Sequence, residues 1–356
     1  MRKLKTAIIG YGRSGRNIHT TILKQLPELF EIAVYVEADP QRQEMIKREM
    51  NKPVYADYTE LSERNDIDLV VNASFSQEHV RISNDLMKRG FDVICEKPVA
   101  RNPAEFQSVL DTAKETGRKY YGFQQARFAE SFIKLQEIIA SGVLGRVIEI
   151  SLRFEKFARR WDWQTIHENA TGVLFNNGSH NVDMALILMN FPKNVEVFAC
   201  MDRANCAGNA EDYARVILRA PGAPVLDLVH TSCNAFPSQF FLVQGTQGTL
   251  KGDTKSLAWK FFKPEEAPPL KLDTQPMRNE KGEPIYCSEQ LKFYEEGWQA
   301  GTGNHGSDEV NEGLAYYRAL HASFTRNDEF AVKNEHLMLQ MKVMEEAYAQ
   351  NRDLFK

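Results

Sequence analysis

The sequence predicts an α/β domain built on a doubly wound parallel sheet, followed by an α+β domain whose sheet is mostly antiparallel. Three observations carry this prediction. The chain has 356 residues, which suits two domains. Short apolar strands alternate with helices in its first part, and strands of alternating polarity follow with few helices between them. We place the domains at residues 1–121 and 122–356.

In the first domain, strands are expected at "KTAIIGY", "EIAVYVE", "DLVVNAS" and "FDVIC", with a helix at "IHTTILKQLPEL" after the first of them. The best-marked helix begins after Asn102, a good N-cap residue, with Pro103 at its first position and Gly117 at its end. Alternation of this kind predicts parallel strands joined by right-handed crossovers.

In the second domain, long helices are missing between most of the strands, so we expect largely antiparallel pairing. The strands are expected at "RVIEISLRFE", "VEVFACM", "YARVILR", "VLDLVHT" and "FFLVQG". Residues 263–284, rich in Pro, Glu and Lys, are predicted to form a surface loop. The last helix has an apolar stripe of Leu337, Met341, Met344 and Tyr348, which predicts core packing.

Composition excludes several classes of protein. Hydrophobic residues make up 43% and charged residues 26%, which is typical of a globular protein with a sizeable core. The net charge of −4 gives no electrostatic reason to bind nucleic acid or an anionic membrane, and no apolar run reaches the roughly 20 residues of a membrane helix. The five scattered cysteines indicate reduced thiols in a cytoplasmic protein, and we expect no metal site.

A glycine-rich turn follows the first strand. Gly10, Gly12 and Gly15 form the pattern G-x-G-x-x-G, which alone is weak because glycines occur in many turns. Here it lies between a strand and a helix, where it would place backbone N–H groups around a pyrophosphate. We predict a dinucleotide site that includes the rest of this turn, namely Tyr11, Arg13 and Ser14.

Glu37 ends the second strand at the distance expected for the residue that binds the adenosine ribose. Its carboxylate would accept both ribose hydroxyls and repel a 2′-phosphate, so we expect NAD rather than NADP. Arg13 and Arg42 lie nearby in sequence and would suit a phosphate. Asp39 is a weaker candidate, because its position before Pro40 suits the start of a helix.

Two segments contain candidate catalytic residues. Lys97 follows a parallel strand directly, where open α/β sheets bind ligands, and Glu96 offers it a countercharge. The alternative is a surface lysine in a turn. In "LFNNGSHNVD", Asn176, His180 and Asp183 would share one helix face, with His180 as a general acid or base. The alternative is a polar stripe that is merely hydrogen-bonded.

The segment upstream, "FEKFARRWDWQTIHEN", is rich in aromatic and charged residues. Trp161, Asp162 and Trp163 would suit a hydroxyl-rich ligand, because aromatic faces cover C–H surfaces and carboxylates accept hydroxyl protons. They would serve ordinary packing equally well.

These residues resemble the motifs of the glucose–fructose oxidoreductase / inositol dehydrogenase (Gfo/Idh/MocA) family. The resemblance covers nearly the whole chain and includes "GYGRSGRNIH", "VICEKPVA", "IIASGVLGRVIEI", "NNGSHNVD" and "LVQGTQGTL". It implies a Rossmann domain, a second domain with a large antiparallel sheet that often serves oligomerisation, and a homodimer or homotetramer. It also implies hydride transfer between a nicotinamide and a secondary alcohol of a sugar, cyclitol or glycoside.

The resemblance extends to single positions. Lys97 matches the lysine of the family's E-K-P motif and His180 its catalytic histidine, while Asp183 matches the aspartate that follows. Gly10, Gly12, Gly15 and Glu37 match cofactor positions. Ser74, Phe75 and His79 match a segment beside the cofactor, to which we add Glu96 and Lys97.

Asn176 departs from the family pattern, since related members often carry aspartate there. An amide cannot stabilise an imidazolium by charge, so either Lys97 takes the larger share of proton transfer or Asp183 supplies the charge. We predict an NAD-dependent dehydrogenase, with Asn176, Asp183 and the Trp161–Trp163 segment binding substrate. The alternatives are an NAD-dependent glycosidase that oxidises a ring carbon transiently and a catalytically silent NAD-sensing regulator.

Overall fold

The computed structural model describes residues 2–301, 308–326 and 328–355. Within these ranges the chain forms a parallel sheet of six strands and a mostly antiparallel sheet of eight. Both sheets confirm the predicted fold class. The division at residue 121 stays a prediction.

The first sheet has the strand order β3-β2-β1-β4-β5-β6, and every neighbouring pair is parallel. Its strands are β1 (Leu4–Ile9), β2 (Phe30–Val36), β3 (Val54–Tyr55), β4 (Leu69–Asn72), β5 (Asp92–Cys95) and β6 (Tyr120–Gly122). The strand order reverses beside β1, which opens a crevice at the carboxyl ends of β1 and β4. This crevice is the expected place for a ligand.

Three of the four helices on this sheet begin and end close to where the sequence indicates. The four helices are α1 (Thr21–Lys24), which continues a π-helical segment Arg13–Thr20, then α2 (Pro40–Met50), α3 (His79–Lys88) and α4 (Pro103–Thr116). Asn102 caps α4 by accepting a hydrogen bond from the Glu105 N–H, and Gly117 ends it at φ +66°. The first helix starts at Arg13, earlier than predicted, and ends at Lys24, because Pro27 disfavours helix in the residue before it.

The second sheet has the order β14-β13-β12-β11-β7-β10-β9-β8. Its strands are β7 (Val147–Glu155), β8 (Glu196–Asp202), β9 (Tyr213–Arg219), β10 (Val225–Thr231), β11 (Phe241–Gly245), β12 (Gly248–Gly252), β13 (Ser256–Phe262) and β14 (Phe293–Gln299). Neighbours are antiparallel except β7 and β10, which run parallel. Most of the loop between β13 and β14 is exposed, as predicted.

The remaining helices connect the two sheets. They are α5 (Glu130–Ala140), α6 (Ser179–Leu188), which continues a π-helical segment Leu174–Gly178, α7 (Asp308–Arg326) and α8 (Asn334–Ala349). Single 3₁₀ turns lie at Tyr58–Glu63, Ser76–Glu78, Gln125–Phe128, Trp163–Thr165, His167–Asn169, Pro264–Glu266 and Arg352–Phe355.

Helix α7 packs against the first sheet. The Tyr316 hydroxyl donates to the carbonyl of Gly122, and the Tyr317 hydroxyl lies 2.8 Å from Nδ1 of His19. Leu337, Met341 and Met344 of α8 are buried, which confirms their predicted core role. No helix in the described ranges is long and apolar enough to cross a membrane.

Candidate functional site

The glycine turn forms a cradle at the carboxyl end of β1. Gly10 has φ +86°, and a Cβ there would lie 2.4 Å from the carbonyl oxygen of Ala73. A Cβ on Gly15 would lie 1.8 Å from the carbonyl oxygen of Gly10. Gly12 differs, because its Cβ would meet only Arg42, at 4.0 Å. The first and third glycines therefore allow close packing, and the second leaves the backbone open to a ligand.

A cavity of about 1020 Å³ runs from this cradle into the space between the two sheets. Most of the predicted site residues line it. They are Gly10, Gly12, Arg13, Ser14, Glu37, Ser74, Phe75, His79, Glu96, Lys97, Asp162, Trp163, Asn176 and His180. The cavity is large enough for a dinucleotide and a small substrate together.

Glu37 lies buried at the end of β2, in the wall of this cavity. One carboxylate oxygen accepts from the N–H of Tyr11 at 2.7 Å, and the other accepts from the N–H of Asp39 at 2.9 Å. Arg42 Nη1 lies 3.9 Å from the carboxylate. Each oxygen keeps a second lone pair, so the group fits a ribose diol. Asp39 caps α2, as its position before Pro40 indicates.

Lys97 lies next to the buried carboxylate of Glu96. Burial opposes the charge of Glu96, but its hydrogen bond with His19 and the nearby Lys97 and His79 lower its pKa to about 2. One oxygen of Glu96 lies 3.1 Å from His19 Nε2, and the other accepts from the Lys97 N–H. Burial lowers the pKa of the Lys97 ammonium, while Glu96 and Glu309 oppose that shift. Lys97 is thus placed to hydrogen-bond an oxygen and to release a proton.

His79 joins the two loops that border the cavity on this side. Its Nδ1 lies 2.8 Å from the carbonyl oxygen of Pro98, and its Nε2 lies 3.2 Å from that of Ser74. Carbonyl oxygens only accept hydrogen bonds, so these two contacts favour a ring that is protonated at both nitrogens. Burial opposes this charge, but Cys95, the Pro98 carbonyl and Glu96 raise the pKa of His79 to about 9. His79 therefore fixes the cavity wall through main-chain contacts.

His180 enters the same cavity from the first turn of α6. Lys97 Nζ donates to the carbonyl of Asn176 at 2.6 Å, one turn before His180, so the ammonium and the imidazole border one region. Burial, the Lys97 charge and His230 lower the pKa of His180 to about 3, although Glu96 opposes them. The imidazole is neutral at physiological pH, so one of its ring nitrogens has a lone pair that can accept a hydrogen bond.

Four predicted residues lie elsewhere than expected. Asp183 forms a buried ion pair with Arg127, at 2.6 and 2.7 Å, and does not line the cavity, although its neighbour Met184 does. Trp161 is 81% exposed. The Tyr11 side chain packs on Tyr35 and donates to Glu49, so only its backbone serves the turn. Gly15 packs against the backbone of Gly10, on the side of the cradle away from the cavity.

The structure also adds residues that the sequence reasoning missed. Gln124 Oε1 lies 2.9 Å from His180 Nδ1, and Gln340 of α8 contacts Gln124. Gln124 follows β6 at the same sheet edge as Lys97, so the rule that located Lys97 also applied to it. The signal for Gln340 was a polar residue within an apolar helix stripe.

Two amides in the cavity wall have a buried atom without a partner among the described residues. They are Oε1 of Gln125 and Nδ2 of Asn181. Both atoms are fully buried, so they lie behind the surface of the cavity. Phe75 and Trp163 meet edge to face across this region, with ring centroids 5.1 Å apart.

Comparison with known proteins gives a family for both parts of the chain. Residues 4–123 match the model described as the GFO_IDH_MocA oxidoreductase family, NAD-binding Rossmann fold. Residues 132–251 match the model of the GFO/IDH/MocA C-terminal domain. The two matches together cover more than half of the chain, and their order is that of the two sheets.

Curated relatives are similar over much of their length. An uncharacterised oxidoreductase of Schizosaccharomyces pombe is 28% identical over 258 residues, 70% of each chain. The scyllo-inositol 2-dehydrogenase (NADP(+)) IolW of Bacillus subtilis is 26% identical over 218 residues, 60% of this chain and 59% of its own.

Solved structures share the fold across the whole chain. The WlbA dehydrogenase from Bordetella pertussis, solved in complex with NADH and UDP-GlcNAcA, has a TM-score of 0.74 at 17% identity. The alignment covers 99% of this chain and 96% of that one. An NAD-binding protein from Listeria innocua has a TM-score of 0.77 at 19% identity, covering 98% and 96%.

Proposed function

Because the chain belongs to the Gfo/Idh/MocA oxidoreductase family and has its NAD-binding Rossmann fold, we propose that it is an NAD-dependent dehydrogenase of polyols. In this proposal it transfers a hydride between nicotinamide and a secondary hydroxyl of a sugar, cyclitol or glycoside. The observation that carries the proposal is that Lys97 and His180 line one cavity together with the glycine cradle.

The cofactor end of the cavity supports NAD. The open backbone at Gly12 would receive the pyrophosphate at the start of the helix at Arg13, and Glu37 would accept the ribose hydroxyls. NAD, when bound, supplies the acceptor for the hydride. Arg42 lies beside Glu37, half-buried at the cavity edge, and the carboxylate would repel a 2′-phosphate there.

The other end of the cavity supports a hydroxyl-rich substrate. Asn176 and Asp162, which line the cavity, would bind hydroxyl groups. Trp163 would cover a C–H face of a ring. As an ammonium, Lys97 would donate a hydrogen bond to the reacting oxygen while that oxygen's proton leaves to His180. As a neutral amine, Lys97 would accept the proton itself as the C–O bond becomes C=O.

The test is a screen of inositols, hexoses, uronic acids and glycosides for NADH formation. For a substrate found this way, Lys97→Ala should lower kcat by about 10²- to 10⁴-fold, because proton transfer and oxyanion stabilisation are both lost. Its Kd for NAD should change little. Lys114→Ala, on the exposed side of α4, is the matched control and should behave as wild type.

Other outcomes would overturn the proposal. If Lys97→Ala weakened binding and left turnover unchanged, Lys97 would have no part in proton transfer. Release of sugar from glycosides without net NADH would indicate a glycosidase, and tight NAD binding without turnover on the whole panel would indicate a regulator.

A further inference from the structure

Two buried glutamines connect His180 to the backbone of its own helix. His180 Nδ1 lies 2.9 Å from Gln124 Oε1, and Gln124 Nε2 donates to Gln340 Oε1 at 3.1 Å. Gln340 Nε2 in turn donates to the carbonyl of Ser179. Gln124 and Gln340 are 1% and 0% exposed, so water cannot replace these bonds. We call His180, Gln124, Gln340 and the Ser179 carbonyl the amide relay.

The direction of the amide relay follows from its last member. A main-chain carbonyl only accepts hydrogen bonds, so the end of Gln340 that faces Ser179 must be its NH₂ group. The other end of Gln340 is then an oxygen, which requires the NH₂ group of Gln124 to face it. The remaining end of Gln124 is an oxygen, and it requires a donor at His180 Nδ1. An inverted amide at either glutamine would place two donors or two acceptors together.

We propose that Gln124 and Gln340 are positioning residues that hold His180 in the tautomer protonated at Nδ1. Nε2 then carries the lone pair. If the proposed dehydrogenase function holds, the hydroxyl proton of the substrate passes to Nε2 as the hydride leaves its carbon for the nicotinamide. The alcohol loses one proton and one hydride and becomes a carbonyl, and His180 becomes an imidazolium.

The amide relay takes the place of the acid expected near His180. Both oxygens of Asp183 are bound by Arg127, and the main-chain oxygen of Asn176 accepts from Lys97. Within the described ranges, His180 forms no ion pair with a carboxylate. The orientation that a carboxylate would impose by charge is imposed here by two neutral amides.

The decisive measurement is the tautomer of His180 by ¹⁵N NMR, on protein labelled at histidine and bound to NAD. Protonated and unprotonated ring nitrogens have well-separated shifts, and the signals that disappear in His180→Asn identify the residue. We expect a protonated Nδ1 and an unprotonated Nε2. The reverse pattern would overturn the proposal directly. This measurement needs no substrate, so it stands even if the proposed activity fails.

Two variants at Gln340 then separate the amide relay from ordinary packing. Gln340→Met keeps the volume but removes both hydrogen bonds, so Gln124 is free to invert. We expect the Nε2-protonated form to appear and kcat to fall at least about tenfold with little change in KM. Burial favours the neutral carboxyl in Gln340→Glu, which would accept from Gln124 with one oxygen and donate to the Ser179 carbonyl with its O–H, so this variant should keep the wild-type tautomer and most of the wild-type kcat. Equal tautomers and equal kcat in wild type and Gln340→Met would contradict the proposal.

Discussion

Two buried histidines of this site, His79 and His180, differ in charge because their hydrogen-bond partners differ. Both nitrogens of His79 face carbonyl oxygens, which favours two protons on the ring. His180 donates from Nδ1 alone, and burial, together with the charge of Lys97, keeps it neutral. The sequence shows only that each histidine lies near a sheet edge or a helix start.

The charge on His79 predicts a pH-dependent stability. Its pKa is about 9 in the folded chain, above the ordinary 6.5, so the stabilisation is complete below about pH 6.5 and is lost as pH rises through 9. Wild type should lose about 3 kcal/mol more than His79→Gln between pH 6 and 10. Urea unfolding at each pH measures this. Parallel curves for the two proteins would show that the ring is neutral.

At the residue scale, motifs predicted which side chains line the cavity, but they did not show contacts between residues that are distant in sequence. Lys97 and His180 come from motifs beside a strand end and a helix start, and both line the cavity. Helical spacing placed Asp183 on the face of His180, but spacing shows no partner, and Arg127 lies 56 residues away. Gln340 is 161 residues from Ser179, which only the folded chain reveals.

At the scale of elements, the Arg127–Asp183 pair ties the 3₁₀ turn Gln125–Phe128 to α6. Asp183→Ala should destabilise the fold by about 3–5 kcal/mol, because it leaves a buried guanidinium without its partner. Denaturant unfolding measures the loss. The double variant Arg127→Met/Asp183→Leu removes both charges and should recover part of it. Loss of turnover in Asp183→Ala without any loss of stability would indicate that Asp183 binds substrate, as the sequence predicts, and that the ion pair does not stabilise the fold.

The π-helical segment Leu174–Gly178 is anchored by Glu211. One oxygen of this buried carboxyl accepts from the Leu174 N–H at 3.0 Å and from the Tyr348 hydroxyl at 2.9 Å. The segment that presents Asn176 is thereby connected to α8.

Burial raises the pKa of Glu211 to about 7. Because this exceeds the ordinary value of 4.5, its contribution to stability is present below about pH 4.5 and is lost as pH rises through 7. Wild type should lose about 3 kcal/mol relative to Glu211→Gln between pH 4.5 and 8. Thermal or urea unfolding across this range is the measurement, and identical profiles would mean that the carboxyl is already ionised at low pH.

The strands and helices were predictable because their signals are local. Apolar strands, the N-caps Asn102 and Asp39, and Gly117 each act within a few residues. The parallel pairing of β7 with β10 was not predictable, because strand polarity patterns do not specify which neighbour a strand selects.

At the scale of the whole molecule, cofactor binding should stabilise the folded chain. NAD at 100 times its Kd should add about 2.7 kcal/mol to the free energy of unfolding, and NADP at the same concentration should add less, because of Glu37. Gly12→Val should fold normally and lose the NAD effect, since its side chain would occupy the open cradle. Thermal unfolding with each nucleotide tests this. A larger effect of NADP would contradict the role of Glu37.

The position of Gln340 has a consequence for how the folded, active protein forms. The group that orients the imidazole lies in the last long helix, near the end of the described chain. A molecule in which α8 has detached leaves Gln124 without its fixed partner, whatever the state of the glycine cradle. Catalysis should therefore depend on the docking of α8 as well as on the glycine cradle.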